Sequence, residues 1–313
     1  MYEEFLLQLM LSKGIGDIAI KRIIRHVSNS AYDTFESLCQ NPEKLLPIIK
    51  CKDSMFENIM ENKERAKILC AELKRQKIAI LLETDPLYPF QLKTVLGEYC
   101  PPVLFLKGNI NLLSTLSVGF CGSRKASEKG IVITTQCAEQ LAEKGVTVVS
   151  GYAAGTDLAA HSAAMAHNGN TVFVLAEGIL KCTEKKAIRD LLTPQNHVFV
   201  SQFLPQALWN VGNAMKRNSL IIGLSEAMIL VESGKTGGTF AAGEETLKRA
   251  QPLFVIDYAK PEVSAEANPY FIGQGGQPIR GRNGVPNLDG VFAAINTDNK
   301  EANHYEQLTI NWN

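Results

Sequence analysis

Three glycine turns carry most of the chemistry in this sequence. The first is Gly122-Ser123-Arg124-Lys125-Ala126-Ser127. Gly122 lets a ligand approach the backbone. Ser127 is placed to cap a following helix, whose N-terminal N–H groups favour an anion. Arg124 and Lys125 add charge-assisted donors. The run lacks G-x-G-x-x-G spacing, so it reads as a phosphate cradle or a plain strand–helix turn, not a dinucleotide fingerprint. The second turn is Ser150-Gly151-Tyr152-Ala153-Ala154-Gly155-Thr156-Asp157, followed by Ala160-His161. Asp157 reads as a cap. His161 lies one helical turn beyond it. The two read either as a catalytic His–Asp pair or as structural groups; no Ser or Cys nucleophile can be tied to them, which favours a structural His161. The third turn is Lys235-Thr236-Gly237-Gly238-Thr239, a little beyond Glu232.

Two cationic stretches lie close by. Lys181, Lys185, Lys186 and Arg189 form one, with Glu184 and Asp190 interleaved. Lys216-Arg217-Asn218, near the start of an apolar helical run, form the other.

These motifs need a scaffold, and the apolar pattern describes one. Short apolar runs occur at 103–106, 116–121, 146–149, 171–175, 198–201, 227–231 and 252–256. Each has the length and composition of a strand buried on both faces. Helical stretches fall between them, near 128–144, 156–168, 184–192, 214–224 and 239–249. Such alternation predicts an α/β fold with a Rossmann-type, doubly wound, mostly parallel sheet. Sheets of this kind bind ligands beyond the carboxyl ends of their strands. The three turns converge on that edge and together describe a groove for a polyanion or a nucleotide.

Residues 1–75 have helical periodicity, with Phe5, Leu6, Leu9 and Met10, then Ile18, Ile20, Ile23 and Ile24. Gly14-Ile15-Gly16 separates these runs, and Asp17 is placed to cap the second helix. In a helix-hairpin-helix unit such a turn offers backbone N–H groups to one phosphate. The alternative is a plain helical hairpin. The lysine-rich helical stretch from Glu57 to Lys77 reads as a solvated face. Pro86, Pro89, Pro101 and Pro102 mark residues 84–102 as a linker. The expected organisation is a small helical domain at 1–80 and a linker with an edge strand at 81–110. A Rossmann-like domain at 111–296 and a polar tail at 297–313 complete it.

Composition narrows the class. The chain has 313 residues, with 32 Lys+Arg against 32 Asp+Glu, so its formal net charge is zero. Bulk positive charge cannot drive nucleic-acid binding, and any such site must be local. Of the residues, 45% are hydrophobic and 20% charged, as in an ordinary globular protein. No apolar run is long enough to span a membrane, and the acidic start Tyr2-Glu3-Glu4 is unlike a secretion signal. The seven cysteines are Cys39, Cys51, Cys70, Cys100, Cys121, Cys137 and Cys182. They form no C-x-x-C pair, which argues against a disulfide framework and against zinc, and for a reducing cytoplasm. No cofactor or metal is expected.

The ordered motifs from about Thr84 to Gly281 resemble the DprA/Smf family of DNA-processing proteins. The matching residues begin with Asp85, Tyr88-Pro89, Leu92 and Pro102-Val103-Leu104-Phe105-Leu106-Lys107-Gly108. They continue through Gly122-Ser123-Arg124, Ser150-Gly151 to Asp157, Ala160-His161 and Gly178. They end with Arg217-Asn218, Ile221, Gly223-Leu224-Ser225 and Gly237-Gly238. The Gly14-Ile15-Gly16 hairpin also fits, because family members often carry a helical N-terminal domain. The resemblance implies an extended Rossmann domain, a homodimer and single-stranded DNA binding. It also implies a role as a recombination mediator, which loads RecA onto incoming DNA during natural transformation, without catalysis. It implies that Gly122, Ser123 and Arg124 hold a backbone phosphate, that Lys185 contacts DNA, and that Arg217 and Asn218 open an Arg-Asn-Arg motif. Three departures stand out. Ala154 replaces a usual basic residue, Ser219 the second arginine, and Thr183-Glu184 a Tyr-Pro pair.

The candidate nucleic-acid contacts are therefore Gly122, Ser123, Arg124, Lys125, Ser150, Gly151, Lys185, Lys186, Lys216, Arg217, Asn218, Gly237, Gly238 and Thr239. The alternative is a nucleotide-binding protein similar to LOG-type nucleoside-monophosphate phosphoribohydrolases, or a nucleotide sensor of a defence system. In that reading Arg217 would act with Glu244 or Glu245 beyond Gly237-Gly238-Thr239.

Overall fold

A computed structural model describes residues 2–50, 54–282 and 284–297. Six helices come first: α1 (Tyr2–Leu11), α2 (Asp17–Asn29), α3 (Phe35–Gln40), α4 (Leu45–Ile49), α5 (Ser54–Glu61) and α6 (Lys63–Arg75). The lysine-rich stretch is thus two helices, broken at the buried Asn62, whose side-chain amide bonds back to Asn58 O at 2.8 Å. Its last residue, Lys77, adopts positive φ and turns the chain into strand β1 (Ala79–Leu82).

The alternating part follows. It comprises α7 (Phe90–Leu96), β2 (Val103–Gly108), β3 (Ser117–Cys121), α8 (Glu128–Glu143), β4 (Thr147–Ser150), α9 (Thr156–Ala166), β5 (Thr171–Val174) and α10 (Lys186–Arg189). Then come β6 (His197–Ser201), α11 (Val211–Gly223), β7 (Ala227–Leu230), α12 (Gly238–Lys248), β8 (Leu253–Ile256), α13 (Asn268–Gly273) and β9 (Gln277–Ile279). A two-stranded ribbon of β10 (Gly281–Arg282) and β11 (Val285–Pro286), with α14 (Asp289–Thr297), closes the described chain. The expected polar tail lies outside the described residues beyond Thr297.

All seven expected strands belong to one nine-stranded sheet of order β1-β2-β6-β5-β4-β3-β7-β8-β9. It is parallel from β6 through β9, while β2 runs antiparallel to β6 and β1 antiparallel to β2. The two strands that the apolar pattern did not reveal, β1 and β9, are the two edges. Alternation explains how the sheet is covered. Ile80, Leu82, Val103 and Phe105 face the apolar core that continues into α1, α2 and α6. Leu81, Leu104 and Leu106 face the opposite side, under α7 and α11. Period-2 side-chain direction therefore glues the helical N-terminal part onto the first two strands.

Residues 84–102, read above as a linker, hold helix α7. Its Leu92 and Leu96 are buried against the α11 side of the sheet. The prolines punctuate this segment without unfolding it, because Pro89 sits at the cap of α7, where no donor is lost.

The strand order decides where a ligand can sit. Helix α8 after β3 leads to β4 on one side, whereas α12 after β7 leads to β8 on the other. The sheet changes direction between β3 and β7, and a crevice opens beyond their carboxyl ends.

Candidate nucleic-acid interface

Two adjoining clefts occupy that edge. The larger, of about 480 Å³, is lined by Gly122, Ser123 and Arg124 after β3, by Arg217 and Asn218 of α11, and by Gly238 and Thr239 of α12. The smaller, of about 350 Å³, is lined by Tyr152, Glu177 and Lys185. Arg124, Ala153, Trp209 and Arg217 line both. Of the candidate contacts, Lys125, Ser150, Gly151, Lys186, Lys216 and Gly237 line neither.

Arg217 is the centre of this arrangement. It is buried to 7% exposure, and its Nη1 lies 3.7 Å from Asp157 Oδ2 and 3.4 Å from Val174 O. Its Nε has no hydrogen-bond partner among the described residues. Burial lowers the guanidinium pKa, and Asp157 opposes that shift. Gly151 is a glycine because a Cβ there would overlap the Arg217 guanidinium. Asp157 was expected to cap its helix, and it does not. The cap of α9 is Gly155, while Asp157 accepts from Ser150 Oγ at 2.9 Å and from Ala153 N at 3.1 Å. Ser150 is fully buried and also bonds Phe120 O, so its hydroxyl positions Asp157 and is closed to a phosphate.

His161 is structural, as expected. It is fully buried between Gly151 O, 2.7 Å from Nε2, and the Thr171 hydroxyl on Nδ1. Burial holds its pKa down at about 4.

The anion-friendly end of α8 is filled from within the protein. Ser127 caps it as expected, accepting from Gly130 N at 3.0 Å. Glu232, 1% exposed, then accepts from Ser127 N at 2.9 Å. A carboxylate of the protein itself already occupies the place where the helix dipole favours an anion. The N-terminus of α12 differs: its cap is Gly237 at φ +97°, and Gly238 accepts from Asn218 Nδ2 at 3.0 Å.

The lysines have separate fates. Lys185 is half-buried. Its ammonium lies 4.2 Å from the Tyr152 ring centroid and donates to Tyr152 O, and burial lowers its pKa. Lys125 and Lys186 are exposed. Lys216 reaches away from the clefts to Asp17 Oδ2 at 2.5 Å. Asp17 was expected to cap α2; the cap is Gly16, without a side-chain bond, and the Asp17 carboxylate ties the helical part to α11 instead. In the Gly14–Gly16 turn, Lys13 N donates to Asn58 Oδ1 at 2.7 Å and Ile15 N to Ser12 O at 3.2 Å, so those two amides are committed internally.

Glu244 and Glu245 do not reach the Arg217 clefts. They line a separate cleft with Tyr99 and Lys248. Glu244 accepts from Tyr270 Oη at 2.8 Å, and Glu245 pairs with Arg249 at 2.9 Å.

Sequence reasoning missed Trp209. It stands beside Arg124, whose Cζ lies 5.4 Å from the indole centroid, and it lines both clefts. A single aromatic ahead of a helix has no periodicity to mark it. Among the described residues no group of His, Cys, Asp and Glu could hold a metal, and no helix is long and apolar enough to cross a membrane.

A doubly wound sheet with a cleft at its switch point, lined by Arg124, Arg217 and Lys185, defines a Rossmann-type protein. A family model described as DNA recombination-mediator protein A matches residues 79–285, and the chain belongs to that family. It is 29% identical over 190 residues to the DNA processing protein DprA of Bacillus subtilis, covering 59% of this chain and 63% of that protein. The chain thus spans less than two thirds of that relative's length. Its fold is similar to the structure of DNA processing protein A from Streptococcus pneumoniae. That likeness has a TM-score of 0.73, 23% identity, and coverage of 89% of this chain and 94% of that one. It is also similar to DNA processing protein A from Helicobacter pylori, whose structure describes a unique single-stranded DNA binding mode. There the TM-score is 0.57 and the identity 24%, over 72% of this chain and 97% of that one. Every cleft residue named above lies inside the family match.

Proposed function

We propose that the two clefts bind the backbone of single-stranded DNA and that the protein acts as a recombination mediator without catalysis. The observation that carries this reading is Arg217, a buried guanidinium with a loose ion pair and an unpartnered Nε between two open clefts. A buried group left short of partners asks for an explanation, and a phosphate beside the guanidinium supplies charge-assisted acceptors. Arg124, exposed at the shared rim, offers a second cation. Family membership supports the same reading. In it, the chain works as a homodimer in the cytoplasm and delivers the strand to a RecA-type recombinase.

The test is fluorescence anisotropy with a labelled strand of about 30 nucleotides, single-stranded and duplex, over a salt series. Preference for the single strand is expected, with a log–log salt slope of about −2 for about three phosphates. Arg124→Ala is expected to weaken binding about tenfold while leaving the thermal midpoint unchanged, since the side chain is exposed. Equal affinity of Arg124→Ala and the parent protein would remove Arg124 from the path. A phosphoribohydrolase reading draws less support, because Glu244 and Glu245 lie away from Arg217. Release of free base from a nucleoside monophosphate would restore it.

The Asp17–Lys216 bridge makes a further prediction. Both side chains are about half exposed, so Asp17→Asn should change stability by less than about 0.5 kcal/mol. It should free Lys216 for the strand and steepen the salt slope by up to about 0.7. An unchanged slope would show that Lys216 lies off the path even when released.

A further inference from the structure

We propose that Trp209 is a nucleobase-stacking platform at the junction of the two clefts. The proposal rests on the reading that those clefts take single-stranded DNA, and it adds a contact to the bases where the cationic groups address only the backbone.

Trp209 is 47% exposed, and Leu208 and Val211 beside it are 71% and 67% exposed. Leaving three large apolar side chains in water forgoes burial that the fold would otherwise gain. Trp209 and Val211 line clefts that hold Arg124, Arg217 and Lys185 together with Asp157, Glu177 and Glu232. Asp157 is paired with Arg217 and Glu232 is bonded to Ser127, so the exposed cation beside the indole is Arg124, which suits an occupant with apolar faces and negative charge. A nucleic-acid strand has both, with stacking faces on its bases and charge on its phosphates. Arg124 lies against the indole at 5.4 Å, in the range of a cation–π contact, and its guanidinium also suits a phosphate.

The backbone under the indole is fixed before any ligand arrives. On one side, Ala207 N bonds Leu204 O at 2.8 Å, Gly178 N bonds Ala207 O at 2.9 Å, and Leu180 N bonds Pro205 O at 2.9 Å. On the other, Asn210 caps α11, accepting from Asn213 N at 2.8 Å. Leu208 and Trp209 are the short span between these anchors. An aromatic ring held in place ahead of binding loses little freedom on stacking. Base stacking on such a ring is indifferent to sequence, as a strand-coating protein requires.

The full chain carries its own probe. It has two tryptophans, Trp209 and Trp312, the second outside the described residues. In a Trp312→Phe background, a single strand of about 30 thymidines should quench Trp209 emission with the same midpoint as anisotropy. Trp209→Ala should weaken binding about tenfold, and Trp209→Phe should keep most of the affinity. The salt slope should not change in either variant, because no phosphate contact is removed. An oligomer of equal length lacking bases should bind Trp209→Ala and its parent alike.

Equal affinity of Trp209→Ala and parent for the thymidine strand, with the parent binding well, overturns the platform and leaves the DNA reading standing. A loss that comes with a shallower salt slope also overturns it, because the indole would then act by placing Arg124. No binding of the parent at low salt overturns the DNA reading itself, and the platform with it.

Discussion

Replacing Arg217 with methionine is expected to destabilise the protein by about 3 kcal/mol, at the low end for a broken buried ion pair. The substitution keeps much of the apolar volume and leaves the Asp157 carboxylate, which is 8% exposed, without its cation. The low end applies because the pair is long, at 3.7 Å, and because Asp157 keeps its bonds from Ser150 and Ala153. Asp157→Asn in the same chain removes the stranded charge. The double variant should therefore be more stable than the sum of the two single losses, with a coupling of about 1 kcal/mol or more. Arg217→Lys keeps the charge and loses the planar fork, so it should retain more stability than methionine and still bind single-stranded DNA poorly. Urea melts and anisotropy separate the two effects. A methionine variant as stable as the parent would mean that water, not Arg217, compensates Asp157.

Acidification is the second large effect. His161 is held neutral by burial with a pKa of about 4, against about 6.5 in an unfolded chain. Between those values the unfolded chain takes up a proton that the folded protein refuses. Stability is therefore fully present above about pH 6.5 and is lost as the pH falls toward 4. The whole gap is worth about 3 kcal/mol, and about 2 kcal/mol of it should be gone by pH 5. His197, whose pKa burial also lowers, contributes in the same direction. The urea midpoint between pH 7.5 and 5 reads this decline. His161→Gln should be less stable at pH 7.5 and should show a flatter pH dependence. A parent midpoint independent of pH down to 5 would mean that the imidazole is already accessible to protons. The mechanism explains why a histidine near a candidate site need not be catalytic. The neutral ring donates from Nε2 to Gly151 O and so holds the second glycine turn in place.

The seven interior strands were legible because each is buried on both faces and so reads as an unbroken apolar run. The edge strands were not. The Ala79–Leu82 run sits against a helical stretch and has no punctuation of its own, since the turn is made by Lys77 at positive φ. Helix α7 was hidden by the prolines that frame it. The glycine turns were legible as turns, and the family motif named Gly122–Arg124, Asp157, Lys185, Arg217 and Asn218 among the residues that line the clefts. Their individual duties were not legible. Ser150 and Asp157 look like a turn hydroxyl and a helix cap, and only the packing of α11 against β5 brings Arg217 onto Asp157.

By itself, the sequence determined the alternation of strand and helix, the three turns at one sheet edge and the local character of any positive patch, since its charges cancel. Those properties depend on residue types and short spacings, which the chain carries wherever it folds. Tertiary structure decided which cations face the clefts. It buried Arg217, tied Lys216 to Asp17, folded Lys185 over Tyr152 and left Arg124 and Trp209 side by side in solvent. A side chain's partner and exposure are set by which element packs across it, often a hundred or more residues away, and no local spacing records that distance.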